Sequence, residues 1–450
     1  MRRLITGRLS SNWSKLLKSL FRDLAPLGHS AKRVSKGRYQ ITLAEIGDFA
    51  PDQTGRISFY DAAHEVCHVA LLLSRADFIK SFETEHGDIF ARMKMFQPSA
   101  IVPTLEIVDF ANPRHRDIVQ YLCLYQTVTS RKFVGRRMGL LAWDVGQTGH
   151  RPLIGGAVLA SPRWSQALRD HYLGWVSDYP KSSLRHDPQA RAIRDAGLRR
   201  MMQLSVACAL PPYNMLSGAW LMALTPFTEL GQQAFAYAAR KDADPDLAVV
   251  VTTTGKGASG APFRNHRLKQ LCKDHSDTSG NVFVRAAPTE NLPALRASFK
   301  DLVSPRTVKL ARKLFRAPFP KRSRPVDDVN DAAIKHMLRR FELKPDIFDG
   351  NEIGVHVGML SAETKQHLAT GTPRPPNKRL RLDWNHVTTI WLRKFLPQLE
   401  SDVSEEHKQS RRRREERART FPEKQIRLSY QLSRPRDRAR SRAEDLTEAH

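Results

Sequence analysis

The sequence predicts an α+β fold: a mixed or mostly antiparallel central sheet with flanking helices, extended by helical N- and C-terminal additions. Three observations carry this. Apolar runs of strand-like composition recur, as in LIGGAVLA (153–160), QLSVACAL (203–210) and LAVVVTTT (247–254). Segments with helical spacing of apolar residues separate them. Each run also ends in a polar, proline-rich or glycine-rich corner.

The 450 residues include 73 Lys+Arg against 46 Asp+Glu, a formal net charge of +27, and 41% are hydrophobic. That hydrophobic share supports a packed core and excludes wholesale disorder. The basic excess favours polyanionic partners, nucleic acid first and acidic membranes or proteins second. Cys67, Cys123, Cys208 and Cys272 form no CxxC pair, which fits a reducing, cytoplasmic setting. No apolar run reaches the roughly 18 residues of a transmembrane segment, and the N-terminus lacks the apolar core of a secretory signal.

In chain order, residues 1–38 form a basic arm. Within it Trp13, Leu16, Leu17, Leu20, Phe21 and Leu24 define one helix face, whose ordinary partner is the protein's own core. Residues 39–302 form the α+β core. A helix is expected over 58–95, capped by Asp61, with Ala62, Val66, Val69, Ala70 and Leu73 in register. A strand follows at 101–110, then a helix over 113–127 opened by Asn112-Pro113. Strands at 137–145 and 152–159 flank GQTGHR, a hairpin composition. Helices at 163–172 and 188–201 precede the strand at 203–210, which Pro211-Pro212 terminates. Helices at 216–224 and 228–240 are expected on one face of the sheet, before the strand at 247–254. Residues 303–403 are basic and mainly helical, with a Pro/Arg stretch at 370–380. Residues 404–450, with arginines at 411 to 414, read as a charged, disordered tail.

Four places could carry chemistry. His64-Glu65-Val66-Cys67-His68 fits H-E-x-x-H. Both imidazoles would share a helix face and bind zinc, with Glu65 as general base and Glu83, Glu85 or His86 as a third ligand. No extension typical of such peptidases follows, so a packed or surface histidine pair is the preferred reading and no metal is assigned. Tyr213, Asn214 and Ser217 lie in a turn leading into a helix, a place for anions. The spacing is similar to the R/Q-x-x-G-x-G/A pyrophosphate loop of the acetyltransferase fold. Asn214 and Ser217 depart from that pattern and only Ala219 agrees. An acetyltransferase-like topology is the specific expectation, by analogy.

The third place is the glycine loop at 255–260. Gly255-Lys256-Gly257-Ala258-Ser259-Gly260 follows the last strand, so that Thr253, Lys256, Arg264 and Arg267 could meet a phosphate. It is not a Walker A loop, because no Lys-Ser/Thr pair follows Gly260. The fourth is Arg169-Asp170, upstream of Trp175, where the pair either fixes a loop or meets a ligand. No catalytic triad or paired-carboxylate arrangement stands out, and catalytic residues and cofactor stay unassigned.

Seven blocks, taken in order, resemble the DruA family of the Druantia anti-phage defence system. They are HEVCHVALLLSRADF (64–78), AIVPTLEIVD (100–109), GRRMGLLAWD (135–144), LIGGAVLASP (153–162), RDHYLGW (169–175), ALPPYNMLSGAWLMAL (209–224) and VVVTTTGKGASGAPFRNHRL (249–268). The resemblance covers about residues 58–300 and leaves out the arm and the tail. It implies antiviral defence in a bacterial cytoplasm beside other Druantia proteins, among them a large helicase-like component. It gives the HEVCH helix a scaffold role and supplies no catalytic residues. With the charge, the expectation is a nucleic-acid-associated, DNA-binding subunit. Two alternatives remain: an acyl-transfer or nucleotide-modifying enzyme using the corners at 211–219 and 252–260, and an HExxH zinc peptidase.

Overall fold

The computed structural model describes residues 2–5, 10–25, 30–35, 38–42, 72, 75–92, 95–126, 135–175, 188–239, 246–254, 262–272, 280–289, 292, 305–316, 339, 353–372 and 381–397. The chain forms two units, one from Met1–Leu71 with Arg296–Ile353, the other from Leu72–Leu295 with Gly354–His450.

In the first unit, β1 (Arg2–Ile5), β2 (Ser30–Ser35) and β3 (Arg38–Thr42) form an antiparallel sheet of order β1-β3-β2, with α1 (Ser11–Leu24) between β1 and β2. The stripe on α1 is core: Leu16, Leu17 and Leu20 are wholly buried and Phe21 nearly so. The helix packs on a second one, Pro305–Arg316, where the Ser19 and Thr307 hydroxyls lie 2.7 Å apart. Thr307 also donates to Asp23 at 2.6 Å. The basic arm therefore contains strands that its composition did not announce.

The second unit runs α2 (Ala76–Glu85), β4 (Pro103–Ile107), α3 (Pro113–Tyr125), β5 (Arg137–Asp144), β6 (Leu153–Ala160), α4 (Ala167–Tyr172), α5 (Pro188–Arg199), β7 (Met201–Ala209), α6 (Gly218–Leu224), α7 (Glu229–Ala238), β8 (Val249–Thr254), α8 (Leu268–Leu271), β9 (Phe283–Ala286), β10 (Gly354–Gly358), α9 (Ala362–Thr370) and α10 (Trp384–Phe395). Its seven-stranded sheet has the order β4-β5-β6-β7-β8-β10-β9. Neighbours are antiparallel except β7 and β8, which are parallel.

The expected strands and the hairpin β5–β6 are present. The helix expected over 58–95 is shorter. Its first part lies outside the described residues, and α2 ends at Glu85, where the His86 amide closes on Phe82 O and a 3-10 turn begins at Gly87. β9 and β10 were not expected, whereas α9 and α10 fall in the region 303–403 read as mainly helical. Asn112 caps α3 as its sequence predicts, accepting from the Arg114 amide at 2.9 Å.

Helices cover both faces of the sheet, so its strands read as nearly continuous apolar runs. On one face α6 lies over β6 and β7 and α7 over β4 and β5, joined by α10; Leu140, Leu159, Met202, Trp220, Phe235 and Trp391 share this core. On the other face α3 lies against β6 and β7. Farther along that face, a second core joins Leu168, Trp175, Val249, Val251, Val355 and Leu368.

The ladder between β7 and β8 covers only Met201–Gln203 and Val249–Val251. Beyond it β7 runs on to Ala209 and β8 to Thr254, and the Thr252 hydroxyl bridges to Leu204 O at 3.0 Å. A register shift against β6 falls at Ser205, where a bulge bends β7. The freed edge of β7 faces the Gln126 side chain; with its amide turned to satisfy both groups, it would donate to Ser205 O and accept from Ala207 N, both at 3.1 Å.

Candidate anion-binding site at the end of the parallel pair

In open sheets, ligands gather at the carboxyl ends of parallel strands where neighbours part. Here that place is the C-terminal end of β8. Side chains alternate along a strand, so Thr252 and Thr254 point to the α6 face. Their cross-strand partners His356 and Gly354, and Arg285 opposite His356, point there too. The Thr254 hydroxyl lies 3.1 Å from His356 Nε2. Gly354 leaves room beside them: a Cβ there would sit 3.1 Å from both atoms and 3.6 Å from Arg285 Nε.

An aromatic wall closes the inner side. Trp220 of α6 stacks on His266 with centroids 4.5 Å apart, and Phe263 and Phe283 line the rings of His356 and His266. Trp220 Nε1 donates to Arg264 O at 3.2 Å, tying the corner after β7 to the segment after β8. His266 is wholly buried, with Nε2 3.2 Å from Trp220 O and Nδ1 without a partner among the described residues. Burial, then the nearby Lys394 charge, lowers its pKa to about 3. Burial, then Arg285 and Arg264, lowers that of His356 to about 4. Burial and Arg267 likewise lower Lys394. Both imidazoles are therefore neutral at pH 7, inside a rim of like positive charges. Such a rim attracts an anionic group, and a neutral imidazole against a hydroxyl can accept a proton.

Of the residues marked in the sequence, Arg264 and Arg267 stand exposed on this rim. Thr253 points to the opposite face, paired with Val355, so Thr254 and not Thr253 meets the histidine. Lys256 and its glycine loop lie outside the described residues. Tyr213 is buried and donates to Asp144 Oδ2 at 2.8 Å, so it holds the corner and does not face a ligand. Asn214 is exposed, and Ser217 adopts φ 55° just before α6. The amides of 215–218 already bond within the turn, to Pro212 O, Tyr213 O, Asn214 O and Tyr213 O. They do not form an open phosphate cradle.

Arg169 and Asp170 lie away from this rim, beside the second core, bonded at 2.7 Å through Nε. Burial lowers the pKa of Arg169 and raises that of Asp170, and each charge opposes the shift of the other. His64, Glu65 and His68 lie outside the described residues. Glu83, offered as a third zinc ligand, is buried and accepts from the Tyr121 hydroxyl at 2.8 Å. Among the described residues no group of three or more His, Cys, Asp or Glu could hold a metal ion.

Sequence reasoning missed Trp220, Thr254, His266, Arg285, His356 and Lys394. A weak signal existed for one: in GVHVG the histidine alternates with valines, and its face is opposite theirs.

The family described as Druantia protein DruA matches residues 68–261. A Druantia protein DruA of Escherichia coli (strain UMEA 4076-1) is 28% identical over 206 residues, which cover 44% of this chain and 46% of that protein. The chain thus spans about half the length of the curated relative it matches. No solved structure matches the chain. The matched segment runs through β4 to β8 and includes α6, whereas Arg264, His266, Arg285, His356 and Lys394 follow it.

Proposed function

With a DruA-family segment supplying β4 to β8, we propose that this protein is a Druantia anti-phage defence component that binds nucleic acid. It would act in the bacterial cytoplasm beside other Druantia proteins, including a large helicase-like one. No helix among the described residues is long and apolar enough to cross a membrane. One observation carries the nucleic-acid part. Arg264, Arg267, Arg285 and Lys394 gather about the aromatic end of β8, close enough for their charges to act on His266, His356 or Lys394. Phosphates fit such a rim. A gel shift with duplex and single-stranded DNA at low salt tests it; binding is expected, and its absence for both removes this reading.

A second reading, an acyl-transfer or nucleotide-modifying enzyme, is favoured by the sheet itself. Among the described strands one junction, β7 with β8, is parallel and parts after three paired residues, which is compatible with an acetyltransferase-like sheet by analogy. The gap would accept an extended acyl carrier along the freed edge of β7, which faces the Gln126 side chain. The bonded amides at 215–218 weigh against a pyrophosphate there. Calorimetry with acetyl-CoA and with nucleotides separates the readings: heat with acetyl-CoA supports transfer, and silence on both ligands removes it.

A further inference from the structure

Trp164 is 49% exposed, yet it is held from several directions. Its Nε1 donates to Asp195 Oδ1 at 3.1 Å. The guanidinium carbon of Arg194 lies 3.4 Å from its ring centroid. Its carbonyl accepts from Arg169 Nη2 at 3.3 Å, and the preceding carbonyl, of Arg163, accepts from Arg169 Nη1 at 2.7 Å. Arg169 is itself wholly buried and locked by Asp170, whose other oxygen takes the Gln166 amide at 3.1 Å. The Arg169–Asp170 pair is thus the clamp beneath an exposed indole.

Arg194 is the unusual part. It is 1% exposed, and its Nε and Nη2 have no hydrogen-bond partner among the described residues. Burying a guanidinium with unpaired N–H groups destabilises a fold. What the arrangement achieves is a surface indole fixed in place, with a cation over its ring and about half of the side chain exposed. Exposed Arg163 and Arg191 flank it; of the two nearby carboxylates, Asp170 is locked on Arg169 beneath and Asp195 also pairs with Arg191 at 3.8 Å.

We propose that Trp164 is a stacking platform for an unpaired nucleobase, with Arg163 and Arg191 taking the adjoining phosphates. This deepens the nucleic-acid reading and rests on it. A flat ring with basic neighbours suits a base and its phosphates, because every base offers a π face. The bases of an intact duplex are already stacked, so the ligand is single-stranded.

Fluorescence anisotropy with a labelled single-stranded oligonucleotide and with the matching duplex tests it. Trp164→Ala should weaken single-strand binding on the order of tenfold and leave duplex binding unchanged. Trp164→Phe, which keeps a ring, should fall between, and a circular-dichroism melt checks that both variants fold. Unchanged single-strand binding by Trp164→Ala overturns the platform while the nucleic-acid reading stands. Equal losses on both oligonucleotides also overturn it. If the unaltered protein binds neither, both proposals fail.

Discussion

His266 and His356 are held neutral by burial and by nearby cations, with pKa values of about 3 and about 4. An unfolded chain would protonate them near 6.5. Their contribution to stability is thus complete above about pH 6.5 and is lost as the pH falls toward the folded values. Thermal unfolding across this range should show a falling midpoint. His266→Gln, which removes one titrating group and retains an N–H for Trp220 O, should make the fall shallower; an identical slope would refute the account. Asp144 offers a test without titration. Wholly buried, it accepts from the amides of Val102 and Gly146, from Gln147 Nε2 and from the Tyr213 hydroxyl. Asp144→Ala orphans all four donors and should cost about 3 kcal/mol or more in denaturant unfolding. A loss under about 1 kcal/mol would mean that the carboxylate is not the hub of this corner.

Helix α5 is positioned by what it lacks. Gly197 lies against the Trp175 ring so closely that an added Cβ would overlap Cζ2, and Trp175 is itself fixed by donating to Leu368 O at 2.9 Å. Alanine favours a helix interior over glycine by about 1 kcal/mol. The clash with a rigid, buried ring outweighs that, so Gly197→Ala should lower stability by about 1–3 kcal/mol. A stabilised variant would show that α5 can slide away from Trp175. The same element carries Arg194 and Asp195, so a shift of α5 should also loosen Trp164. The strands that were legible are β4 to β8, and of these β5 to β8 are buried on both faces, where an apolar run is unbroken. β9 and β10 were not, because a strand of four or five residues has too little pattern to stand out and its partners are far away in the chain.

For the molecule as a whole, the +27 charge predicts that the proposed nucleic-acid binding depends on salt. Binding should weaken steeply as salt rises, and Arg264→Ala or Arg267→Ala should each reduce the slope of log affinity against log salt by about 1. A slope unaffected by both changes would place the phosphate contacts elsewhere on the chain. Local pattern was enough to establish the α+β class, the basic balance, the α1 core stripe and the ordered blocks that resemble the DruA family, because each is written in neighbouring residues. It also named Arg264 and Arg267, which follow β8 in the chain. It could not show that Thr254, His266, Arg285, His356 and Lys394 meet there, or that Arg169 and Asp170 lie under Trp164. Those groupings arise from strand order, from the alternation that sends Thr254 and Thr253 to opposite faces, and from a strand, β10, returning some hundred residues later to pair with β8. Only folding makes such distant residues neighbours.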